Sequence, residues 1–293
     1  MMKFWLFLER LDRRWIYLAI GLSVIIPLIF PFNSPTTITP PTVNLWNYID
    51  SLAETGKPLM VITDYAPSTS PELDPMSRAV IRHALEKDIP IIIYGGLYPQ
   101  GFGMSQRVEQ YVIDEMNHKK VNGDTIIYGE DWVLLPFIPG ATAVIMGMGD
   151  DFHRTSPEDA RGNSLSDLEV TKDVRRLGDI GLIVDISGSS LPRLWLQYAT
   201  TRYGVPVGVG TTAVSAAEYY AFLQTGQFVG MMGGMKGAAE YEQLNEDLIE
   251  VKVRRVASIA MDAQNAVHIF IIIIVILGNI SFFVMKKNKA RRF

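Results

Sequence analysis

Residues 269–276 read IFIIIIVI, a run that leaves a helix no polar face to turn toward water. It sits inside a longer block, residues 266–285 (AVHIFIIIIVILGNISFFVM), that contains no Asp, Glu, Lys or Arg. About 20 such residues cross a hydrocarbon core of about 30 Å as a helix, so a transmembrane helix is expected there. A second uncharged block, residues 15–32 (WIYLAIGLSVIIPLIFPF), occupies the other end of the chain. Pro27 and Pro31 predict that it kinks or ends early. NSPTTITPPTV follows with no small-x-small cleavage pattern, which favours a retained anchor over a removed signal peptide.

Charge sets the expected orientation. Residues 1–14 hold Lys3, Arg10, Arg13 and Arg14 against Glu9 and Asp12, a net of +2. Residues 286–293 hold five basic side chains and no acid, a net of +5, so a whole-chain charge of −4 leaves −11 between the tails. Positive charge at the outer ends of both blocks predicts cytoplasmic termini and an extracytoplasmic domain between the spans. So acidic a domain argues against a nucleic-acid partner.

The expected organisation is a cytoplasmic basic tail (1–14), a span (15–32), a Pro-rich linker with a short helix (33–56), an α/β domain (57–238), a connecting helix (239–265), a span (266–285) and a second basic tail (286–293). Pro35, Pro40 and Pro41 predict a stiff extended linker, with the short helix at 45–54. In the domain, strand-length apolar runs fall at 58–63, 90–95, 125–129, 132–138, 143–148, 181–187 and 205–210. Helical stretches at 76–86, 104–116, 191–203 and 213–224 alternate with several of them. This alternation predicts an α/β fold, a mainly parallel sheet flanked by helices and tethered by one transmembrane helix at each end. Residues 125–138 could also form an antiparallel hairpin. The polar stretch 150–176 reads as a solvated excursion or a lid. Residues 239–265, with strong helix formers and neither Pro nor Gly, predict one helix running from the domain into the second span.

Ligands of parallel α/β sheets bind beyond the carboxyl ends of the strands. Gly, Ser, Thr and Asp collect at those ends here: Asp64, Gly95 and Gly96, Asp150, Asp185, Gly188 with Ser189 and Ser190, and Thr211 with Thr212. The Gly-Ser-Ser and Gly-Thr-Thr loops precede helices, where backbone N–H groups and hydroxyls can meet an anion or a carbonyl oxygen. Each of these residues is equally at home as an ordinary turn or N-cap. No dinucleotide or P-loop fingerprint occurs, so no cofactor is expected. The chain has no cysteine and four histidines, none in a metal-ligand spacing, so no metal centre is expected either. The Gly/Met-rich segment 227–242 reads as a self-association surface, a substrate surface or a tightly packed internal loop. Asn279, inside the second block, is a group able to hydrogen-bond across helices of an oligomer.

Residues 181–234 also carry a resemblance. GLIVDISGSS, LPRLWLQYATTRYG, VPVGVGTTAVSAAEYYA and TGQFVGMMGG follow an order that resembles the signal peptide peptidase A group of the ClpP/crotonase superfamily. The resemblance implies a serine peptidase with Ser215 as nucleophile and Gly188 with Ser189 in the oxyanion loop. That group has Gly-Gly after its serine, where this chain has Ala216, Ala217 and Glu218. Lys236 and Lys252 are the downstream lysines of the soluble part, at spacings different from that group's general base. Three readings stand on the sequence: a binding or assembly module for an unknown protein, a small molecule or a second copy; a membrane-anchored serine peptidase; and a membrane sensor or scaffold.

Overall fold

The computed structural model describes residues 12–32, 34, 36–248 and 255–290. They fall into two units, one of the two apolar helices and one over residues 36–257.

In the first unit, the N-terminal apolar helix Arg13–Ile29 is 17 residues long. At 1.5 Å per residue that is about 25 Å, short of a core of about 30 Å. It runs through Pro27 and closes two residues before Pro31. The C-terminal apolar helix is Val256–Ala290. Among the described residues one helix segment, Val256–Met285, is long and apolar enough to cross a membrane. Its Asp262 is buried and accepts the N–H groups of Phe32 and Ser34 at 2.8 and 3.1 Å. Val24 and Leu28 face Ala260, Ala263 and Val267 across an apolar cleft. Asn279 donates to the Val275 carbonyl of its own helix at 3.0 Å.

The second unit is built on six strands: β1 (Leu59–Asp64), β2 (Ile91–Tyr94), β3 (Trp132–Leu135), β4 (Leu182–Ser187), β5 (Val207–Thr211) and β6 (Phe228–Gly233). All pairs are parallel, in the order β3-β2-β1-β4-β5-β6. The chain builds outward from β1 to β3, then returns to lay β4 against the other side of β1. That reversal makes β1 and β4 the topological switch point of a doubly wound sheet. β1 to β5 are buried throughout, as the unbroken apolar runs of covered parallel strands require.

Among the described residues, six regular helices cover the sheet: α1 (Pro40–Leu52), α2 (Ser70–Glu86), α3 (Gly101–Glu115), α4 (Ala141–Asp150), α5 (Ala213–Gln224) and α6 (Gly234–Leu244). The Val144, Ile145 and Met148 side chains of α4 and Tyr219 of α5 pack on the face bearing Met60, Ile62, Tyr94 and Ile183. Trp195 joins them from an irregular helix over 192–203, whose centre Trp195–Thr200 is π-helical.

Several expectations change. Pro40 and Pro41 do not exclude helix: they occupy the first turn of α1, where a missing N–H removes no hydrogen bond. α1 then lies on β5 and β6, because Gly208 and Gly230 leave room for Leu45; a Cβ on Gly230 would stand 2.5 Å from Leu45 N. The Gly/Met segment therefore contributes β6 and an internal packing surface. Residues 143–148 belong to α4 rather than a strand. Residues 125–129 form isolated bridges rather than a hairpin arm, and β3 pairs parallel to β2. The stretch 150–176 is a packed cover, with Phe152, Leu165, Val170 and Val174 buried and Ala160 N–H bonded to Leu134 O beside β3. The helix expected over 239–265 breaks: α6 ends at Leu244, a 3-10 turn follows over Asn245–Asp247, and a new helix starts at Val256. Asn245 is drawn out of the helical path by bonds to Ala79 O and Trp46 Nε1, each 2.9 Å.

Candidate functional site

Register places the chemistry. Asp64 ends β1 opposite Ser187, and Ser187 lies opposite Thr211 of β5. One step back along the strands, Tyr94, Ile62, Asp185 and Val209 form a second row. Side chains two residues apart on a strand share a face, so Asp64, Asp185, Ser187, Thr211 and Tyr94 all project from the same side of the sheet. That side is the one roofed by Trp195 and Tyr219.

Asp64 and Asp185 are 2% and 0% exposed, so neither carboxyl is solvated by bulk water. Asp64 Oδ1 accepts the N–H groups of Leu97 and Tyr98 at 2.5 and 3.0 Å. Gly96 makes this possible: its φ is +67°, and a Cβ there would fall 1.9 Å from Asp64 Oδ1. Among the described residues, Asp64 Oδ2 and both oxygens of Asp185 have no hydrogen-bond partner. Trp195 Nε1–H faces Asp64 without closing a bond, and Thr211 Oγ1 is also unpartnered and fully buried. The Tyr94 hydroxyl, near the Ile138 backbone, closes no bond either, and its ring meets Trp195 edge-on at 6.4 Å.

Burial drives the electrostatics. It pushes the Asp64 carboxyl up to about 7, against the opposing pull of the Leu97 and Tyr98 N–H groups and Trp195. Asp185 is raised well above the carboxylate range, by burial first and by the Asp64 charge second. Tyr94 is raised by burial and by Asp64, and Tyr219 by burial and by Asp185. Two like carboxyls in one dry site cannot both ionise freely, so the pair retains a proton near neutrality.

The rim is polar. Ser187 Oγ donates to Asp64 O at 3.1 Å and meets Ser189 Oγ at 2.9 Å, and Tyr219 OH donates to Ser189 O at 2.6 Å. Ser189 and Ser190 are exposed. No family model, curated protein or solved structure matches this chain.

The strand-end residues chosen from sequence divide. Asp64, Gly96, Asp185, Gly188, Ser189, Ser190 and Thr211 gather at or over the switch point. Gly95 packs against α3, where a Cβ would stand 2.5 Å from Phe102 Cα. Asp150 lies elsewhere, at the exposed end of α4, accepting Tyr203 OH at 2.9 Å. Thr212 caps α5, accepting Ser215 N–H at 3.4 Å and donating to Ser215 Oγ at 3.2 Å. Glu72 takes the Ala213 N–H at 2.9 Å, so the α5 N-terminus is already matched with a carboxylate. Ser189 N–H is engaged by Ser187 Oγ at 3.1 Å. Lys236 bonds Thr37 O at 3.0 Å and pairs with Glu240; Lys252 lies outside the described residues. Sequence reasoning missed Ser187, Tyr94 and Trp195. An aromatic residue that carries a polar atom within an apolar run was the available signal for Tyr94 and Trp195.

Proposed function

We propose that this chain is a membrane-anchored binding protein, with a small-ligand site in the crevice between the ends of β1 and β4. In this reading the apolar block 15–32 and the C-terminal apolar helix both span the membrane. The termini are cytoplasmic, and the α/β domain is presented on the other side. The +2 and +5 basic tails and the acidic middle support that orientation. One observation carries the binding reading: a carboxyl pair on adjacent switch-point strands, buried, with three oxygens unpartnered. Strongly shifted groups clustered where ligands of this sheet order bind support a site over a structural ion pair.

Native mass spectrometry of the full chain, gently extracted in mild detergent, tests the site. The wild type is expected to carry a small molecule that Asp185→Asn does not retain. Identical spectra for the two would remove the binding reading. Sidedness is read separately, because the chain has no cysteine of its own. A membrane-impermeant maleimide should label Ser190→Cys in intact cells and label Lys287→Cys only after lysis. The reverse pattern would invert the topology.

A further inference from the structure

We infer that the Asp64–Asp185 cradle takes the ammonium head of a small organic amine. The inference rests on the binding reading above and names its chemistry.

The unpartnered atoms set the requirement. Asp64 Oδ2 and Asp185 Oδ1 and Oδ2 are acceptors, and no basic side chain is among the groups acting on either carboxyl. A primary ammonium has three N–H donors and one positive charge, which matches three acceptors on a pair that can carry negative charge. The walls agree with this. Trp195, Tyr94 and Tyr219 are all fully buried around the pair and exclude water from it, which strengthens a charge-assisted bond to an ammonium. A metal ion fits less well. Among the described residues no third carboxylate, histidine or cysteine joins the two aspartates, and Trp195 presents an N–H toward Asp64 rather than a lone pair. An anion would meet the oxygens of two carboxyls, with no basic side chain among the groups acting on them. Ser189 and Ser190, on the loop that follows β4, are exposed to solvent.

Binding then has a proton signature. The free pair holds a proton near neutrality; an ammonium replaces it, and the proton passes to buffer. Above the range in which the pair is protonated, no proton is released.

The test is titration calorimetry on the full chain in detergent, with 1-aminobutane and 1,4-diaminobutane, and with 1-butanol and calcium chloride as comparators. At least one amine should bind while the alcohol and calcium do not. In two buffers of different ionisation enthalpy, binding should release more protons at about pH 6 than at about pH 9. Asp185→Asn should weaken binding by about 30-fold or more, the lower end of what removing one partner of a buried charge pair does. Asp64→Asn, which keeps an oxygen for Leu97 and Tyr98, should weaken it similarly and guards against a folding defect in the first variant. Failure of both amines to bind, or equal binding by the folded variants, overturns the inference. If the molecule lost from Asp185→Asn in the mass spectra is neutral, anionic or a metal ion, the site stands and the amine assignment falls. If the wild type carries nothing and binds nothing, both fall.

Discussion

At the scale of single residues, Asp185 has the least favourable surroundings. Its carboxyl is fully buried, unpartnered and beside a second acid. Such a residue is expected to lower stability while it serves a site. Asp185→Asn removes the charge at nearly constant volume and should stabilise the free domain by about 1–3 kcal/mol at about pH 8. Urea unfolding with an unchanged m value is the measurement. A loss of stability would mean that the carboxylate is a structural acceptor. The gain should shrink as pH falls toward about 3, below the unfolded value, where the carboxyl is protonated in both the folded and unfolded states. Asp64 and Asp185 were legible one by one, as acids in the last residues of apolar runs. Their pairing was not, because it depends on β4 returning to lie beside β1 across more than a hundred residues. In sequence Trp195 is only one residue of the helical stretch 191–203, since its indole nitrogen acquires meaning only against Asp64.

At the scale of elements, legibility followed burial pattern. β1, β2, β4 and β5 were found because β-branched runs of strand length had turn residues on both sides. α4 was misread because AVIMGM is short, apolar throughout and without periodicity, a case that period alone does not resolve. Its glycines face Thr155 and Tyr203, close approaches that a sequence does not display. β6 was hidden by glycines that look like loop residues yet admit α1. Gly230→Ala tests this. The new Cβ would meet backbone atoms of Pro41 and Leu45 at 2.6 and 2.5 Å, so α1 must shift. A loss of about 1–3 kcal/mol is expected, as for other overpacked sites. Gly103 in α3 has no neighbour within 4 Å of an added Cβ. Gly103→Ala should therefore stabilise by about 0.5–1 kcal/mol through helix propensity alone. Thermal unfolding of the two variants side by side separates close packing from backbone entropy, and equal shifts would refute the docking of α1 as described.

At the scale of the whole molecule, the address was more legible than the mechanism, because an uncharged block announces itself locally while a site is assembled from distant strands. The domain's response to pH combines groups that act in opposite senses. His83 stacks on Trp46, bonds Tyr241 OH at 2.8 Å, and is pushed down to about 4 by burial, with Asp50 pulling the other way. The unfolded chain binds that proton near 6.5 and the folded domain near 4, so His83 lowers stability by up to roughly 3 kcal/mol as pH falls through this window. Asp64 acts inversely. Its folded value of about 7 lies above its unfolded 3.8, so the folded state holds the extra proton and loses stability as pH rises between them. Asp185 adds to that loss, and so does Glu109, which burial raises to about 7. The His83 and Asp64 slopes nearly cancel from pH 4 to 6.5, leaving Asp185 and Glu109 to tilt the profile downward toward alkaline pH. Unfolding midpoints between about pH 4.5 and 8 should therefore fall in the wild type. They should fall more steeply in His83→Gln, which lacks the compensating rise. In Asp185→Asn, which removes the Asp185 share of the loss, the slope should flatten. A wild-type profile rising toward pH 8 would mean that the two carboxyls ionise freely, and that the switch point holds solvated acids rather than a closed pair.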